Sequence, residues 1–259
     1  MNKIEVAILN EAHGNPAGMM IFLAKLTQRG HSIKTMADLT TLYKECVDHL
    51  QSRSTASKIA QLPHGTIKRF APITIAVVGA SRRFLSQART HQVGVDFVSA
   101  SLQYSNYSGE ADFVVPYELL NPEIKMIKDD YLKSCNASME TYSNLISYGI
   151  SNDTAGYAAP QSLRNILILN ANHQAWDYFI RTRACSRNTD ETQLVATRIW
   201  ELLRNSSVDG DLLFANSGPD CVSGKCREGS MSCGKPLDAD PTTNLLNNLP
   251  LLKGQIDWK

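Results

Sequence analysis

The chain has 259 residues, of which 43% are hydrophobic and 20% charged, and its formal net charge is +1. A near-neutral chain has no electrostatic field that would attract DNA or anionic lipid, so nucleic acid and membranes are not expected as partners. No apolar run is long enough to span a membrane, and the first residues lack the apolar core of a signal peptide, which predicts a cytoplasmic protein. The length favours one domain, residues 1–235, with a C-terminal tail, residues 236–259.

Strands and helices are predicted to alternate in the first third of the chain. Residues 4–9 alternate weakly, as an edge strand would, residues 16–29 have apolar side chains at helical spacing, and residues 36–61 predict a helix or a helix pair. A breaker cluster, residues 62–66, then precedes residues 73–78, which are β-branched and apolar. These last residues predict a buried strand.

The stretch SRRFLSQARTHQVGVDFVSASLQY, residues 81–104, changes from helical to strand-like periodicity. Arg82, Gln87 and His91 fall at roughly helical spacing, whereas Val95 and Phe97 alternate with other residues. Such a change gathers polar side chains at one place. Taken alone, this stretch predicts a polar pocket.

The patterns after this stretch are mostly helical. Residues 105–115 predict a turn and a strand, residues 121–134 a solvated helix, and residues 139–148 an amphipathic helix that ends at Gly149. Asn188, with Glu191 three residues later, resembles a capping box and predicts a helix over residues 189–203, with Glu191 as a cap. The buried stripe of that helix is predicted to be Leu194, Val195, Ile199, Leu202 and Leu203.

The six cysteines fall into two groups. Three lie singly in helix-like segments, as reduced core thiols do, and three lie in the last forty residues, separated by four and then six residues. The second group is one ligand short of a four-cysteine zinc site and has no nearby histidine, so no metal is expected. The first group is Cys46, Cys135 and Cys185, and the second is Cys221, Cys226 and Cys233.

Residues 81–104 resemble the signature of flavin-dependent thymidylate synthases, which reads approximately S-R-x-x-x-x-Q-x-x-R-H-R, an apolar run, and S-x-R-Y. With one residue inserted near Asp96, six residues match, and three others replace signature arginines. The matching residues are Ser81, Arg82, Gln87, His91, Ser101 and Tyr104. The replacements are Thr90, Gln92 and Gln103.

A second cluster supports the resemblance by its spacing. In the family, an A-R-x-x-L-P box is followed by N-x-R and then by an arginine. Pro160, Asn172 and Arg183 stand here at the corresponding intervals, while Gly156 and Gln174 replace the arginines of the box and of N-x-R.

The resemblance implies an α/β (α+β) fold like that of the thymidylate synthase-complementing proteins, with a central mixed sheet flanked by helices. It also implies a homotetramer with active sites at subunit interfaces. FAD would carry a hydride, methylenetetrahydrofolate would donate the carbon, NADPH would reduce the flavin, and dUMP or a related pyrimidine would be the acceptor. Two alternatives stay open: a relative that acts on another pyrimidine, and a paralogue without catalytic activity.

The same resemblance assigns roles to individual residues. Arg183 would be catalytic and would stabilise negative charge on the pyrimidine, unless it is a structural ion-pair residue beside Asp190 or Glu191. Arg82, Arg89 and Arg164 are candidates to replace the arginines lost at Gln103 and Gly156. The expected cofactor-binding residues are His64, Thr66, Thr90, His91, Gln92, Ser99, Asn172 and Gln174, of which His64 and Thr66 would otherwise form an ordinary turn. The expected substrate-binding residues are Gln87, Arg89, Ser101, Gln103, Tyr104 and Arg183.

Overall fold

The structure is a computed structural model that describes residues 1, 3–11, 14–48, 53–62, 65–91, 93–109 and 111–255. The strands are β1 (Glu5–Glu11), β2 (Pro72–Ser81), β3 (Val95–Ser99) and β4 (Arg164–Asn172). The helices are α1 (Pro16–Arg29), α2 (Met36–Val47), α3 (Arg53–Ala60), α4 (Arg82–Ala88), α5 (Lys125–Ser147), α6 (Asn152–Ala155), α7 (His173–Arg183), α8 (Asp190–Ser206), α9 (Gly210–Leu213) and α10 (Pro241–Asn248). This α+β arrangement agrees with the predicted class.

The strands form a sheet of order β1-β2-β4-β3 in the described part of the chain, and every neighbouring pair is antiparallel. The sheet is therefore not the mixed sheet that was expected. β1 is an edge strand, as predicted, and β2 lies inside the sheet, where most of its almost continuous apolar sequence is buried. No described helix is long and apolar enough to cross a membrane.

The main core lies between one face of the sheet and the helices α4, α7 and α8. Trp176 and Trp200 are its largest buried side chains, and the indole nitrogen of Trp176 donates to the carbonyl of Ile73 at 3.1 Å. On the opposite face, Val98 and Ile166 are 69% and 46% exposed. One face of the sheet is thus covered by helices, while the other presents apolar side chains to the surroundings.

Strands lead directly into the two helices that carry the site. The hydroxyl of Ser81, the last residue of β2, accepts from the backbone N–H of Phe84 and caps α4. In the same way Asn172, the last residue of β4, caps α7 by accepting from Ala175. Because β2 and β4 are antiparallel, α4 and α7 start at opposite ends of the sheet. The last turns of α4 and α7 can therefore lie close to each other.

Glu191 does not cap its own helix, contrary to the capping-box prediction. α8 begins after Thr189, which makes no side-chain cap bond, and the amide of Asn188 instead donates to the carbonyl of Thr182 at 2.7 Å. The buried carboxylate of Glu191 accepts from the backbone N–H and the hydroxyl of Ser81. Burial raises the pKa of Glu191, although both bonds from Ser81 act in the opposite direction.

Other segments also differ from their sequence patterns. The described residues of the range 105–115 contribute one isolated bridge, between Phe113 and Leu163, where a strand was predicted. The two helices predicted within residues 121–148 are one continuous helix, α5, because no breaker separates them. Leu202 is half-buried, whereas the rest of the predicted α8 stripe is fully buried. Residues beyond 235 include α10, whose Leu245 belongs to the main core.

Candidate active site

The two motif clusters meet where α4 and α7 end. Arg183 is the last residue of α7, and its Nη2 donates to the hydroxyl of Thr90, 93 residues away in sequence, at 2.6 Å. The Thr90 hydroxyl in turn donates to the carbonyl of Gln87 at 2.8 Å. Nη1 of Arg183 lies 3.5 Å from the side-chain oxygen of Asn188. Thr90, which was predicted to bind the cofactor, and Arg183, which was predicted to bind the substrate, are therefore in direct contact.

The charge of Arg183 has no carboxylate partner among the described residues. The structure does not form the ion pair of Arg183 with Asp190 or Glu191 that was considered from the sequence. The carboxylate of Glu191 accepts from Ser81 instead, and burial and the nearby Glu118 raise the pKa of Asp190, as expected for a carboxyl group without a cation beside it. Burial lowers the pKa of the Arg183 guanidinium, and its buried Nε has no hydrogen-bond partner in the described part of the chain. A half-buried cation without an anion is costly, so this arginine is well suited to an anionic ligand.

His91 follows Thr90, the residue that Arg183 contacts, and is uncharged at neutral pH. It is 5% exposed, and its ring lies 4.8 Å from the ring of Tyr178 and 5.2 Å from that of Phe179. Burial, with a smaller contribution from Arg183, lowers its pKa to about 4. Nε2 is buried and has no hydrogen-bond partner among the residues that the structure describes. A neutral imidazole offers one donor and one acceptor but no charge.

The side chain of Gln87 is held by two hydroxyl groups, one from α8 and one from the residue that precedes α8. Its side-chain oxygen accepts from Thr192 at 2.9 Å and from Thr189 at 3.2 Å. Because the oxygen is used, the amide group of Gln87 is oriented and retains its donors. Gln87 thus has a fixed direction at the α4–α8 contact.

The loop after β3 brings together the positions assigned to the nucleotide phosphate. Ser101 accepts from the backbone N–H of Gln103 at 3.0 Å, and Tyr104 is 82% exposed. A Cβ on Gly156 would lie 3.2 Å from the Cβ of Leu102, the neighbour of Gln103. Gln103 and Gly156, the two positions where the family has arginines, therefore lie on one surface.

Two other arginines lie near this loop. Nη2 of Arg89 donates to the hydroxyl of Ser99 at 2.5 Å. Burial lowers the pKa of Arg82, with Arg89 adding to the effect, and Tyr107 acts in the opposite direction. Arg164 is used elsewhere, because it is 3.1 Å from Asp112 and donates to the carbonyl of Gly79. Arg82 and Arg89 are thus the candidates that remain.

A cleft of about 750 Å³ adjoins the start of α7 and contains more cations than anions. Asn172 and Gln174 line it, and Gln174 accepts from Nε of Arg69 at 2.5 Å. Thr66 is exposed in the 3-10 turn Gly65–Arg69 at its edge. Its charged lining residues are Lys68, Arg69, Arg181 and Asp177. His64 and Gln92, also predicted to bind the cofactor, lie outside the described residues.

Comparison with known proteins decides the family. The sequence model of the family described as Thymidylate synthase complementing protein matches residues 9–206. The chain belongs to that family. The resemblance predicted from residues 81–104 and from the spacing of the second cluster is confirmed.

Curated members of the family with similar sequences are flavin-dependent thymidylate synthases. The one from Geobacter sulfurreducens is 25% identical over 200 residues, which cover 74% of this chain and 84% of the relative. The one from Thermococcus kodakarensis is 25% identical over 227 residues, which cover 83% of this chain and 91% of the relative.

Solved structures show the same fold. The UMP/dUMP methylase PolB from Streptomyces cacaoi, bound with 5-Br dUMP, superposes with a TM-score of 0.66 at 16% identity, covering 83% of this chain and 96% of PolB. ThyX from Helicobacter pylori, complexed with FAD and dUMP, gives a TM-score of 0.59 at 17% identity, covering 83% and 99% of the two chains. At these identities the likeness establishes the fold of this family member.

Sequence reasoning missed the basic residues of the cleft. Lys68 and Arg69 follow the breaker cluster after one intervening residue, and Arg181 lies two residues before Arg183. None of them occupies a position where the family signature has an arginine. The available signal was the high density of basic residues beside two predicted site segments, which only the fold places on one cleft.

Proposed function

We propose that this protein transfers a one-carbon unit from methylenetetrahydrofolate to C5 of a uracil nucleotide, with FAD as hydride carrier and NADPH as its reductant. One observation carries the proposal: the two motif clusters converge, so that Arg183 donates to Thr90, the residue before His91. A desolvated guanidinium without an acidic partner suits a reaction in which negative charge develops on a pyrimidine ring.

The cleft at the start of α7 fits the anionic part of FAD. Lys68, Arg69 and Arg181 supply three positive charges against the single carboxylate of Asp177, and arginine binds phosphate oxygens in pairs. Arg69 also bonds Gln174, and so places a guanidinium at the position where the family has an arginine. FAD, when bound, supplies the hydride that reduces the transferred carbon to a methyl group.

Close backbone approach also shapes the wall of this cleft. A Cβ on Gly65 would lie 2.2 Å from Nε2 of Gln174, so that a larger residue would displace this amide. The 3-10 turn that carries Thr66, Lys68 and Arg69 is therefore held near the first turn of α7. We infer that this contact positions Gln174 and Arg69 as one binding unit.

The acceptor site is proposed at the ends of α4 and α7 and along the loop after β3. Arg183 would hold the charge that develops on the ring, and the amide of Gln87 would donate to a ring oxygen. Arg82 and Arg89 would bind the phosphate in place of the lost arginines, together with Ser101, Gln103 and Tyr104. Each charge-assisted hydrogen bond contributes roughly 1.5–3 kcal/mol, so the two replacements must be offset for dUMP to bind well.

An acceptor other than dUMP is the second candidate. Gln103 and Gly156 change the phosphate surface, and a structural relative is a UMP/dUMP methylase. A non-phosphorylated pyrimidine would be favoured if Arg82 and Arg89 do not reach the phosphate.

We further propose a homotetramer. Across the four strands, Ala7, Ala76, Ile168 and Val98 lie in register on the face that described helices leave open. Val98 and Ile166 are exposed there, and a second copy of the chain would bury them. The exposed Tyr104 is then expected near a subunit interface, in agreement with sites shared between subunits.

Release of tritium from C5 tests the proposal. The holoenzyme is incubated with methylenetetrahydrofolate, NADPH and either dUMP or UMP that carries tritium at C5, because replacement of the C5 hydrogen by a methyl group frees the label. Folate-dependent release with one of the two nucleotides is expected. Flavin that stays bound without release from either nucleotide would contradict transfer to a uracil nucleotide, and would favour the non-catalytic alternative or an acceptor without a phosphate.

A further inference from the structure

Two hydroxyl groups at the start of α8 meet the side chain of Gln87. Thr189 is the residue before α8 and Thr192 lies in its first turn, so the two side chains are one helical turn apart on the same side of the helix. Their hydroxyl oxygens are 2.9 Å apart, and Thr192 is fully buried. Oε1 of Gln87 lies 2.9 Å from the hydroxyl of Thr192 and 3.2 Å from that of Thr189. The three oxygen atoms therefore form a closed triangle whose hydrogens come from the two threonines.

The hydrogens in this triangle determine which end of the Gln87 amide faces α8. Each threonine has one hydroxyl hydrogen, and the amide oxygen can accept two hydrogen bonds. If the amide were turned by 180°, its NH2 group would face both hydroxyls, and the buried hydroxyl hydrogen of Thr192 would lose the acceptor that it has now. Because a buried donor without an acceptor is costly, the threonines hold the amide with its oxygen toward α8.

The nitrogen of the same amide is available to a ligand. Nε2 of Gln87 donates to no residue in the part of the chain that the structure describes, since the bonds of the side chain are those that its oxygen accepts. The backbone carbonyl of Gln87 accepts from the hydroxyl of Thr90, which itself accepts from Arg183. The amide donors thus belong to the same group of contacts as the guanidinium of Arg183.

The first turn of α8 also fixes α4 at both of its ends. Where α4 begins, the buried carboxylate of Glu191 accepts from the backbone N–H and the hydroxyl of Ser81, the residue that caps the helix. In the last turn of α4, Thr192 donates to Gln87. Because neighbouring residues of α8 hold both ends, α4 cannot shift alone and change the direction of the Gln87 amide.

We propose that Thr189 and Thr192 are positioning residues that make Gln87 a hydrogen-bond donor to O4 of the pyrimidine and so select uracil over cytosine. The inference rests on the proposed transfer to C5. Negative charge at C5 is shared with O4 through C4, as in an enolate, so a donor fixed at O4 stabilises the transition state more than the ground state. Cytosine has an amino group at C4, whose N–H groups would face those of Gln87, and the threonines prevent the amide from turning to accept from them.

Binding of uracil and cytosine nucleotides tests this role. Calorimetry with the flavin-loaded protein compares dUMP with dCMP, and UMP with CMP, in the wild type, in Thr192→Ser and in the double variant Thr189→Val with Thr192→Val. The wild type should bind the uracil nucleotide at least about a hundredfold more tightly than its cytosine counterpart. In the double variant the amide can turn, so affinity for uracil should fall, affinity for cytosine should rise, and their ratio should fall at least about tenfold. Thr192→Ser keeps the hydroxyl and should keep the wild-type ratio.

Thr197→Val is the matched control, because Thr197 is a buried threonine of the same helix that does not bond to Gln87. A purely structural role of Thr189 and Thr192 would lower the melting temperature and weaken binding of both bases alike, without changing their ratio. Release of tritium from C5, measured in parallel, should show a lower kcat in the double variant and a wild-type kcat in Thr197→Val.

Three outcomes overturn the proposal. An unchanged ratio in the double variant would refute the positioning role, while tritium release by the wild type would leave the proposed transfer intact. Equal affinity of the wild type for uracil and cytosine nucleotides would refute it without any variant. If the double variant does not fold, Thr189→Val alone, at the half-buried position, should still narrow the ratio, and an unchanged ratio there would count equally against the proposal. A flavin-loaded wild type that binds none of the four nucleotides would overturn the inference together with the proposed uracil-nucleotide acceptor.

Discussion

Replacing Arg183 by lysine separates a catalytic from a structural role for this residue. Lysine keeps the positive charge but loses the planar group, whose Nη2 bonds Thr90 and whose Nη1 faces Asn188. The contact with Thr90 is a single, partly exposed hydrogen bond worth about 1 kcal/mol, so the melting temperature should fall by only about 2–4 °C. Stabilisation of a developing charge is worth more, and turnover should fall roughly ten- to a thousandfold.

Both quantities are measured on one preparation of each variant. Turnover is followed as C5 tritium release, the melting temperature by calorimetry, and bound FAD by absorbance. Arg29→Lys, which changes an exposed arginine at the end of α1, is the matched control and should leave all three unchanged. Full turnover by Arg183→Lys, with a large drop in melting temperature, would refute the catalytic role.

Three further predictions follow from contacts and charges. Arg82→Gln and Arg89→Gln should each weaken nucleotide binding about ten- to hundredfold in calorimetry, and unchanged affinity in both would remove them from the phosphate site. Burial lowers the pKa of His91 and of His173 to about 4 in the folded protein. Because the unfolded chain then binds more protons than the folded chain below pH 6.5, the free energy of unfolding should fall between pH 6.5 and 4. Denaturant titrations of His173→Gln should show a smaller fall than those of the wild type. Val98→Glu should convert the expected tetramer into smaller species by light scattering, whereas a wild-type monomer would contradict the interface.

Local patterns predicted the elements whose burial is set by their own sequence. The apolar run of β2 and the periodicity of α8 require one face or both to be buried whatever surrounds them. The capping box at Asn188 was wrong because Glu191 has a stronger partner, the two donors of Ser81, 110 residues away in sequence. No local rule weighs a near partner against a distant one.

The site was predictable only where motif spacing carried information across the chain. The resemblance related the segment that ends at His91 to Arg183, and the structure shows their contact through Thr90. Arg69, which bonds Gln174, was not predicted because it lies on another element, 105 residues away in sequence. Cys185 was interpreted as a core thiol for the same reason: its neighbours in space are far away in sequence.

The destination of the transferred carbon tests the proposed function most directly. The protein is supplied with FAD, NADPH, the accepted nucleotide and methylenetetrahydrofolate labelled with carbon-13 in the methylene group, and the product is examined by NMR. A labelled methyl group on C5 of the pyrimidine is expected. Label that stays entirely in the folate, in a protein that is folded and loaded with flavin, would contradict the proposal.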